Sequence, residues 1–112
     1  MNLTSTTDGT RRIVTVNESR IDAAVALSFK ELMRVETDEA TGNVILNLEQ
    51  VQFVDSSGLG AIVASMKMMG SSRTLALAGL TPTVEKVFRL TRMDSVFPMF
   101  TSMEDALADT SI

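Results

Sequence analysis

The sequence predicts a single α/β domain over residues 1–112, in which a mixed, mostly parallel sheet of four to five strands packs with about four helices. Segments with strand-like and helix-like patterns alternate along the chain after an N-terminal hairpin, and this alternation is typical of parallel sheets with right-handed crossovers. The run over residues 44–48 is almost continuously apolar, as expected of a strand that is covered on both faces.

The first part of the chain contains the signals of a hairpin followed by a helix. Residues 2–7 and 11–16 are predicted strands, and Asp8-Gly9 joins them because glycine adopts the positive φ that a hairpin turn requires. We expect the first helix to open at Ile21-Asp22, with the Asp22 carboxylate accepting a hydrogen bond from the first-turn amides. Gly42 is the predicted stop signal after this helix.

The remaining elements are marked by terminal residues. The second helix follows Asp55 and is expected to end at Gly70, and residues 73–78 form the next strand. Thr81-Pro82 predicts the third helix, with threonine as the cap and proline at the first helical position, where its missing N–H costs nothing. Val96-Phe97 is predicted as a short edge strand, and Ser102 opens a final short helix through a capping box.

The composition excludes several classes of function. The chain has 10 basic and 14 acidic residues, a net charge of −4, and neither histidine nor cysteine. A Ser-His-Asp triad and thiol chemistry are therefore impossible, and we expect no enzyme activity, no metal and no cofactor. Scattered basic residues argue against nucleic acid. The longest weakly polar stretch falls short of the ~20 apolar residues of a membrane span, and no signal peptide is visible, so the expected location is cytoplasmic.

The segment most informative about function is a predicted helix start, Asp55-Ser56-Ser57-Gly58-Leu59-Gly60. Its two glycines remove side chains from the first turn, which would let another molecule approach closely. A helix N-terminus also favours negative charge, so the fold would tolerate a phosphate on Ser56 while the charge presented to a partner changes. A simpler interpretation stays open, in which the Asp-Ser-Ser sequence is an ordinary helix cap.

Residues 44–67, VILNLEQVQFVDSSGLGAIVASMK, closely resemble the signature of the STAS domain as found in bacterial anti-sigma factor antagonists. The order of predicted elements is similar to that family over nearly the whole chain. The resemblance implies that Ser56, the serine directly after the aspartate, is the phosphoacceptor. It also implies a partner-binding patch made of Asp22, Asp55, Ser56, Ser57, Gly58, Leu59 and Gly60.

The function that this resemblance implies is partner switching. The unphosphorylated monomer would bind an anti-sigma factor that is also a serine kinase with a histidine-kinase-like ATPase fold, and the sigma factor would be released. Phosphorylation of Ser56 would abolish binding, and a PP2C-type phosphatase would restore it. One alternative is a STAS interaction or scaffold module without phosphorylation, for example in a lipid-transport or signalling complex. Another is a small enzyme or nucleotide-binding protein, which the lack of a phosphate-binding lysine after the glycines disfavours.

Overall fold

The computed structural model describes all residues from Met1 to Ile112 and has a mixed sheet as its centre. The strands are β1 (Leu3–Asp8), β2 (Arg11–Val16), β3 (Arg20–Ile21), β4 (Val44–Asn47), β5 (Phe53–Val54), β6 (Leu75–Ala78) and β7 (Met99–Phe100). The helices are α1 (Ala26–Glu39), α2 (Ser56–Met69), α3 (Pro82–Leu90) and α4 (Met103–Ala108). Five strands lie in the order β1-β2-β4-β6-β7, and only the β1–β2 pair is antiparallel. The predicted fold class is confirmed.

The two faces of the sheet are covered by different helices. Val44 and Leu46 of β4 belong to the main core, which also contains Phe29 of α1, Ile62 of α2 and Phe88 of α3. Ile45, between them in sequence, belongs to a second apolar cluster that contains Ala106 of α4, as well as Ala76, Ala78 and Ile112. Successive strand residues point to opposite faces, so β4 is buried on both sides as predicted. Each fully buried aliphatic side chain stabilises the fold by about 1.5–3 kcal/mol.

The first helix begins later than predicted. α1 starts at Ala26, its N-cap is Val25, and no side chain caps it. The Asp22 carboxylate instead accepts a hydrogen bond from the Ala24 N–H at 3.1 Å, and the Asp22 carbonyl oxygen accepts one from the Val25 N–H at 3.1 Å. The prediction that Asp22 opens this helix is therefore wrong, because the aspartate closes a separate turn that precedes the helix.

Two very short strands lie outside the main sheet, and the sequence did not predict them. β3 pairs in parallel with β5, with Arg20 opposite Phe53 and Ile21 opposite Val54. The inner residues of this pair, Ile21 and Val54, are buried in the main core. The pair brings the segment before α1 beside the segment before α2, and this juxtaposition positions the candidate site.

The end of α1 is stabilised by an arginine from a distant part of the chain. Nη1 of Arg73 donates hydrogen bonds to the carbonyl oxygens of Thr37, at 3.0 Å, and Ala40, at 2.7 Å. The helix ends before Gly42, which is therefore not its stop signal. Gly42 is needed for a different reason, since a Cβ atom there would collide with the carbonyl oxygen of Thr10.

The last strand is shifted from its predicted position. Val96 and Phe97 follow a 3-10 turn, and the Phe97 side chain is buried with its ring edge-to-face against Phe88, at a centroid separation of 6.0 Å. The predicted strand at Val96-Phe97 is wrong because the core takes up Phe97. Pairing with β6 begins beyond Pro98, where Met99 lies opposite Leu77.

The predicted starts of α3 and α4 are at the right residues, although one cap works differently. Pro82 is the first residue of α3, but the hydroxyl of the preceding Thr81 donates to the carbonyl oxygen of Val51 at 2.9 Å and does not cap the helix. In α4 the Ser102 hydroxyl accepts a hydrogen bond from the Asp105 N–H at 3.0 Å, which is one half of the predicted capping box. The other half is absent, because the Asp105 carboxylate accepts a hydrogen bond from the Thr101 hydroxyl at 3.4 Å and none from the Ser102 N–H.

Candidate functional site

The candidate site is organised by Asp55, which follows β5 and is the N-cap residue of α2. Its Oδ1 accepts a hydrogen bond from the Gly58 N–H at 2.9 Å and so caps the helix. Its Oδ2 accepts a second hydrogen bond from the Ala23 N–H at 3.2 Å. One carboxylate thus joins the start of α2 to the turn before α1. Asp55 is half-buried, and both of its oxygens are engaged within the chain.

The two glycines of the first turn serve different purposes. Gly58 is buried, and a Cβ atom at this position would collide with the carbonyl oxygen of Ile21. The expectation that Gly58 makes room for another molecule is therefore wrong, because the chain's own β3 fills that space. Gly60 is exposed, and a Cβ atom there would meet nothing within 4 Å. Of the two, only Gly60 leaves open surface.

The serines lie on the outside of the first turn of α2. Ser56 is the first residue of the helix, and both Ser56 and Ser57 are exposed. Neither hydroxyl takes part in a hydrogen bond within the chain, since the Asp55 carboxylate performs the capping. Leu59 is half-buried and packs against the main core. The Ser56 hydroxyl therefore stands free at the positive end of a helix dipole.

Asp22 is brought to the same end of the molecule, although it does not cap a helix. Its Oδ2 accepts a hydrogen bond from Nε of Arg20 at 3.1 Å, and the guanidinium carbon of Arg20 lies 4.3 Å from the centre of the Phe53 ring. The side chains of Arg20 and Asp22 are 58% and 22% exposed. Asp22 follows β3 and Asp55 follows β5, so the pairing of these strands brings the two residues to the same end of the molecule, where the Asp55 carboxylate accepts a hydrogen bond from the residue after Asp22.

The sequence analysis missed Arg20 and Phe53 as members of this surface. No local pattern marks them, because each belongs to a strand of only two residues and their contact depends on the pairing of β3 with β5. A guanidinium stacked on an aromatic ring at an exposed position is worth about 0.5–1 kcal/mol. The ring contact and the hydrogen bond both engage Arg20, so this surface presents a cation beside the Asp22 carboxylate.

Two ionisable side chains elsewhere in the chain have shifted pKa values. A hydrogen bond to Glu36 raises the pKa of Arg12, and hydrogen bonds from the hydroxyl and N–H of Ser111 lower the pKa of Asp109. No group of three or more acidic residues is arranged to hold a metal ion. None of the helices combines the length and the hydrophobicity needed to cross a membrane.

Comparison with known proteins connects this geometry to a family. Residues 3–106 match the family model of the STAS domain. The chain belongs to the STAS domain family. Among its relatives, an anti-sigma F factor antagonist of Paenibacillus polymyxa is 25% identical over 88 residues, which cover 73% of this chain and 75% of the relative.

Solved structures share the fold of this STAS domain. An anti-sigma factor antagonist domain protein from Planctomyces limnophilus superposes with a TM-score of 0.85 over 94% of both chains, at 20% sequence identity. The phosphorylated form of the Bacillus cell fate determinant SpoIIAA gives a TM-score of 0.67 at 20% identity, covering 95% of this chain and 96% of that one. The match to the family model confirms the family predicted from residues 44–67.

Proposed function

We propose that this STAS domain is an anti-sigma factor antagonist of a partner-switching system, with Ser56 as the phosphoacceptor. In its unphosphorylated form the cytoplasmic monomer binds an anti-sigma factor that is also a serine kinase with a histidine-kinase-like ATPase fold, and the sigma factor is released. Phosphorylation of Ser56 abolishes this binding, and a PP2C-type phosphatase reverses it. The domain contributes a hydroxyl group and a docking surface, and it is a substrate rather than an enzyme.

The observation that carries the proposal is the free Ser56 hydroxyl at the start of α2. Asp55 already caps the helix, so modification of Ser56 breaks no hydrogen bond and leaves the architecture unchanged. The names of two similar proteins support the same role. The relative from Paenibacillus polymyxa is an anti-sigma F factor antagonist, and SpoIIAA of Bacillus exists in a phosphorylated form.

The size of the expected effect follows from the charge that a phosphate adds. A phosphoserine carries about −1.5 to −2 charges at neutral pH. At Ser56 this charge would stand next to the neighbouring Asp55, on a surface that a docked partner removes from water. Unfavourable charge in such a contact costs a few kcal/mol, and each 1.4 kcal/mol is tenfold in affinity. We therefore expect phosphorylation to weaken binding at least about a hundredfold.

The direct test uses the neighbouring serine as a matched control. The protein is incubated with its cognate kinase, ATP and Mg²⁺, and the modified residue is located by mass spectrometry. Ser56→Ala should abolish phosphorylation, whereas Ser57→Ala should retain it. Ser57 is a matched control because both residues are exposed in the same helical turn. Phosphate found on Ser57 alone would contradict the assignment of Ser56.

Binding measurements separate the switch from a constitutive scaffold. By calorimetry, Ser56→Ala should bind the kinase as tightly as the unmodified protein. Ser56→Asp should bind more weakly, and Ser57→Asp should lose less affinity than Ser56→Asp. Equal affinity of the unmodified, Ser56→Asp and phosphorylated proteins would refute the switch and leave the STAS interaction module without phosphorylation.

A further inference from the structure

A second candidate binding region lies at the opposite end of α2 from Ser56. A cleft of about 550 Å³ opens between the end of α2, the connection from Gly70 to β6, and the segment that precedes β7. α2 has 14 residues, so this cleft lies ~20 Å along the helix from Ser56. The volume is within the range of about 300–1,000 Å³ that is typical of small-molecule sites.

The charges around the cleft have one sign. Lys67 and Arg73 contribute to its lining, together with the polar Ser71 and Thr74, and no acidic residue does so. This is a local reversal in a chain that has 14 acidic and 10 basic residues. Neither cation is paired with a carboxylate in the structure. No carboxylate of the chain therefore neutralises either cation, although both lie near the carbonyl ends of helices.

One of the two cations is held in place by the fold. Nη1 of Arg73 is engaged by the carbonyl oxygens of Thr37 and Ala40, which leaves Nε and Nη2 without partners in the chain. A guanidinium that is fixed in this way loses little side-chain freedom when it binds a carboxylate with its remaining N–H groups. Lys67 also complements the negative end of the α2 dipole, but that role does not require a cleft beside it.

The remaining lining is apolar and indicates what accompanies the negative group. Met66 and Leu75 come from α2 and β6, and Val96 and Pro98 come from the segment before β7. Val96 is 41% exposed. A small inorganic anion would leave Val96 and Pro98 in contact with water, whereas an aliphatic or ring-shaped body would cover them.

We propose that this cleft binds a small organic carboxylate whose negative group lies between Lys67 and Arg73 and whose apolar body lies on Val96 and Pro98. Octanoate is a suitable probe because it combines a carboxylate with a short aliphatic chain. Titration of the ¹⁵N-labelled protein should produce saturable shifts of the Gly70, Ser71 and Thr74 amide resonances. For a ligand of this size we expect a dissociation constant on the order of 1 mM.

Two comparisons test the parts of the proposal separately. Octanol, which has the chain without the charge, and inorganic phosphate, which has charge without the chain, should each bind at least about fivefold more weakly than octanoate. Lys67→Gln should weaken octanoate binding about threefold and Lys67→Glu about tenfold. Lys86→Glu makes the same charge change at an exposed position of α3 outside the cleft, and it should leave binding unchanged.

Several outcomes would overturn the proposal. Equal binding of octanol and octanoate would mean an apolar patch without charge recognition, and an equal loss in Lys67→Glu and Lys86→Glu would mean attraction by overall charge. Shifts that do not saturate would mean that no site exists. Lys67 is exposed, and thermal unfolding followed by circular dichroism verifies that each variant is folded. None of these measurements involves Ser56 or a kinase, so their failure is distinct from failure of the proposed switch.

Discussion

Replacement of Asp55 tests whether one carboxylate performs both of the structural tasks seen at the start of α2. Asp55→Ala removes the cap on the Gly58 N–H and the hydrogen bond from the Ala23 N–H. Loss of an N-cap costs about 1 kcal/mol, and loss of a hydrogen bond to a charged group costs about 1.5 kcal/mol. We therefore expect the free energy of unfolding to fall by about 2.5 kcal/mol, which for a domain of this size lowers Tm by about 10 °C.

Asp55→Asn separates the two tasks because the amide group has a single acceptor oxygen. If that oxygen caps Gly58, the amide nitrogen faces the Ala23 N–H and the second hydrogen bond is lost. The expected loss of stability is about 1.5 kcal/mol, or roughly 5 °C in Tm. Urea unfolding followed by circular dichroism measures both values. Hydrogen exchange should show faster exchange of the Ala23 amide in both variants, and of the Gly58 amide only in Asp55→Ala.

Ser56→Ala is the matched control for these variants. The Ser56 hydroxyl makes no hydrogen bond within the chain, so its removal should change the free energy of unfolding by less than about 0.5 kcal/mol. The reasoning is refuted if Asp55→Ala is no more destabilised than Ser56→Ala. It is also refuted if Asp55→Asn retains full stability while its Ala23 amide exchanges fast, because the hydrogen bond between Ala23 and Asp55 would then contribute nothing to stability.

Two further predictions concern backbone packing and ionisation. Gly58→Ala should destabilise the domain by about 3 kcal/mol because its Cβ would collide with the Ile21 backbone. Gly60→Ala should stabilise α2 by about 0.5–1 kcal/mol, since a Cβ atom there meets no neighbour. Urea unfolding measures both free energies, and similar values for the two variants would contradict the packing argument. The pKa of Asp109, measured by NMR titration of its carboxyl carbon, should lie below its ordinary value of 3.8, and Ser111→Ala should raise it. Because folding lowers the pKa of Asp109, ionised Asp109 stabilises the fold at pH values above 3.8, and this stabilisation is lost as the pH falls through the pKa of the folded state. An unchanged pKa in Ser111→Ala would rule out the Ser111 hydroxyl as the cause of the shift.

Much of the fold could be predicted because its elements are defined by neighbouring residues. The strand β4 is recognisable from its continuous apolar run, α3 from Pro82, and α4 from Ser102, whose hydroxyl caps the helix in the structure. In each of these cases the residue that specifies the element lies within it or directly beside it. Local signals of this kind retain their meaning before any tertiary contact forms.

The errors occurred where a distant contact overrode a local signal. Asp22 has the residue type of a helix cap, but pairing of β3 with β5 holds the segment before it in an extended conformation, and α1 begins only at Ala26. Val96-Phe97 has the composition of a strand, but the core takes up the Phe97 ring, and the sheet pairs with Met99 instead. A short segment has too few residues to determine its own conformation, so its tertiary partners decide it.

The sequence by itself determined that this chain is an α/β domain of the STAS family and that a helix starts at the Asp55-Ser56-Ser57 run, because caps and periodic apolar residues act within a few positions. That Asp55 rather than a serine is the cap, and that Ser56 is exposed, is seen only in the structure. Only the tertiary structure decided that Gly58 serves the chain's own packing, that Asp55 also holds Ala23, and that Arg20 rests on Phe53. Asp55 and Ala23, for example, lie more than 30 positions apart in the sequence. A contact between such distant residues exists only after β3 and β5 have paired.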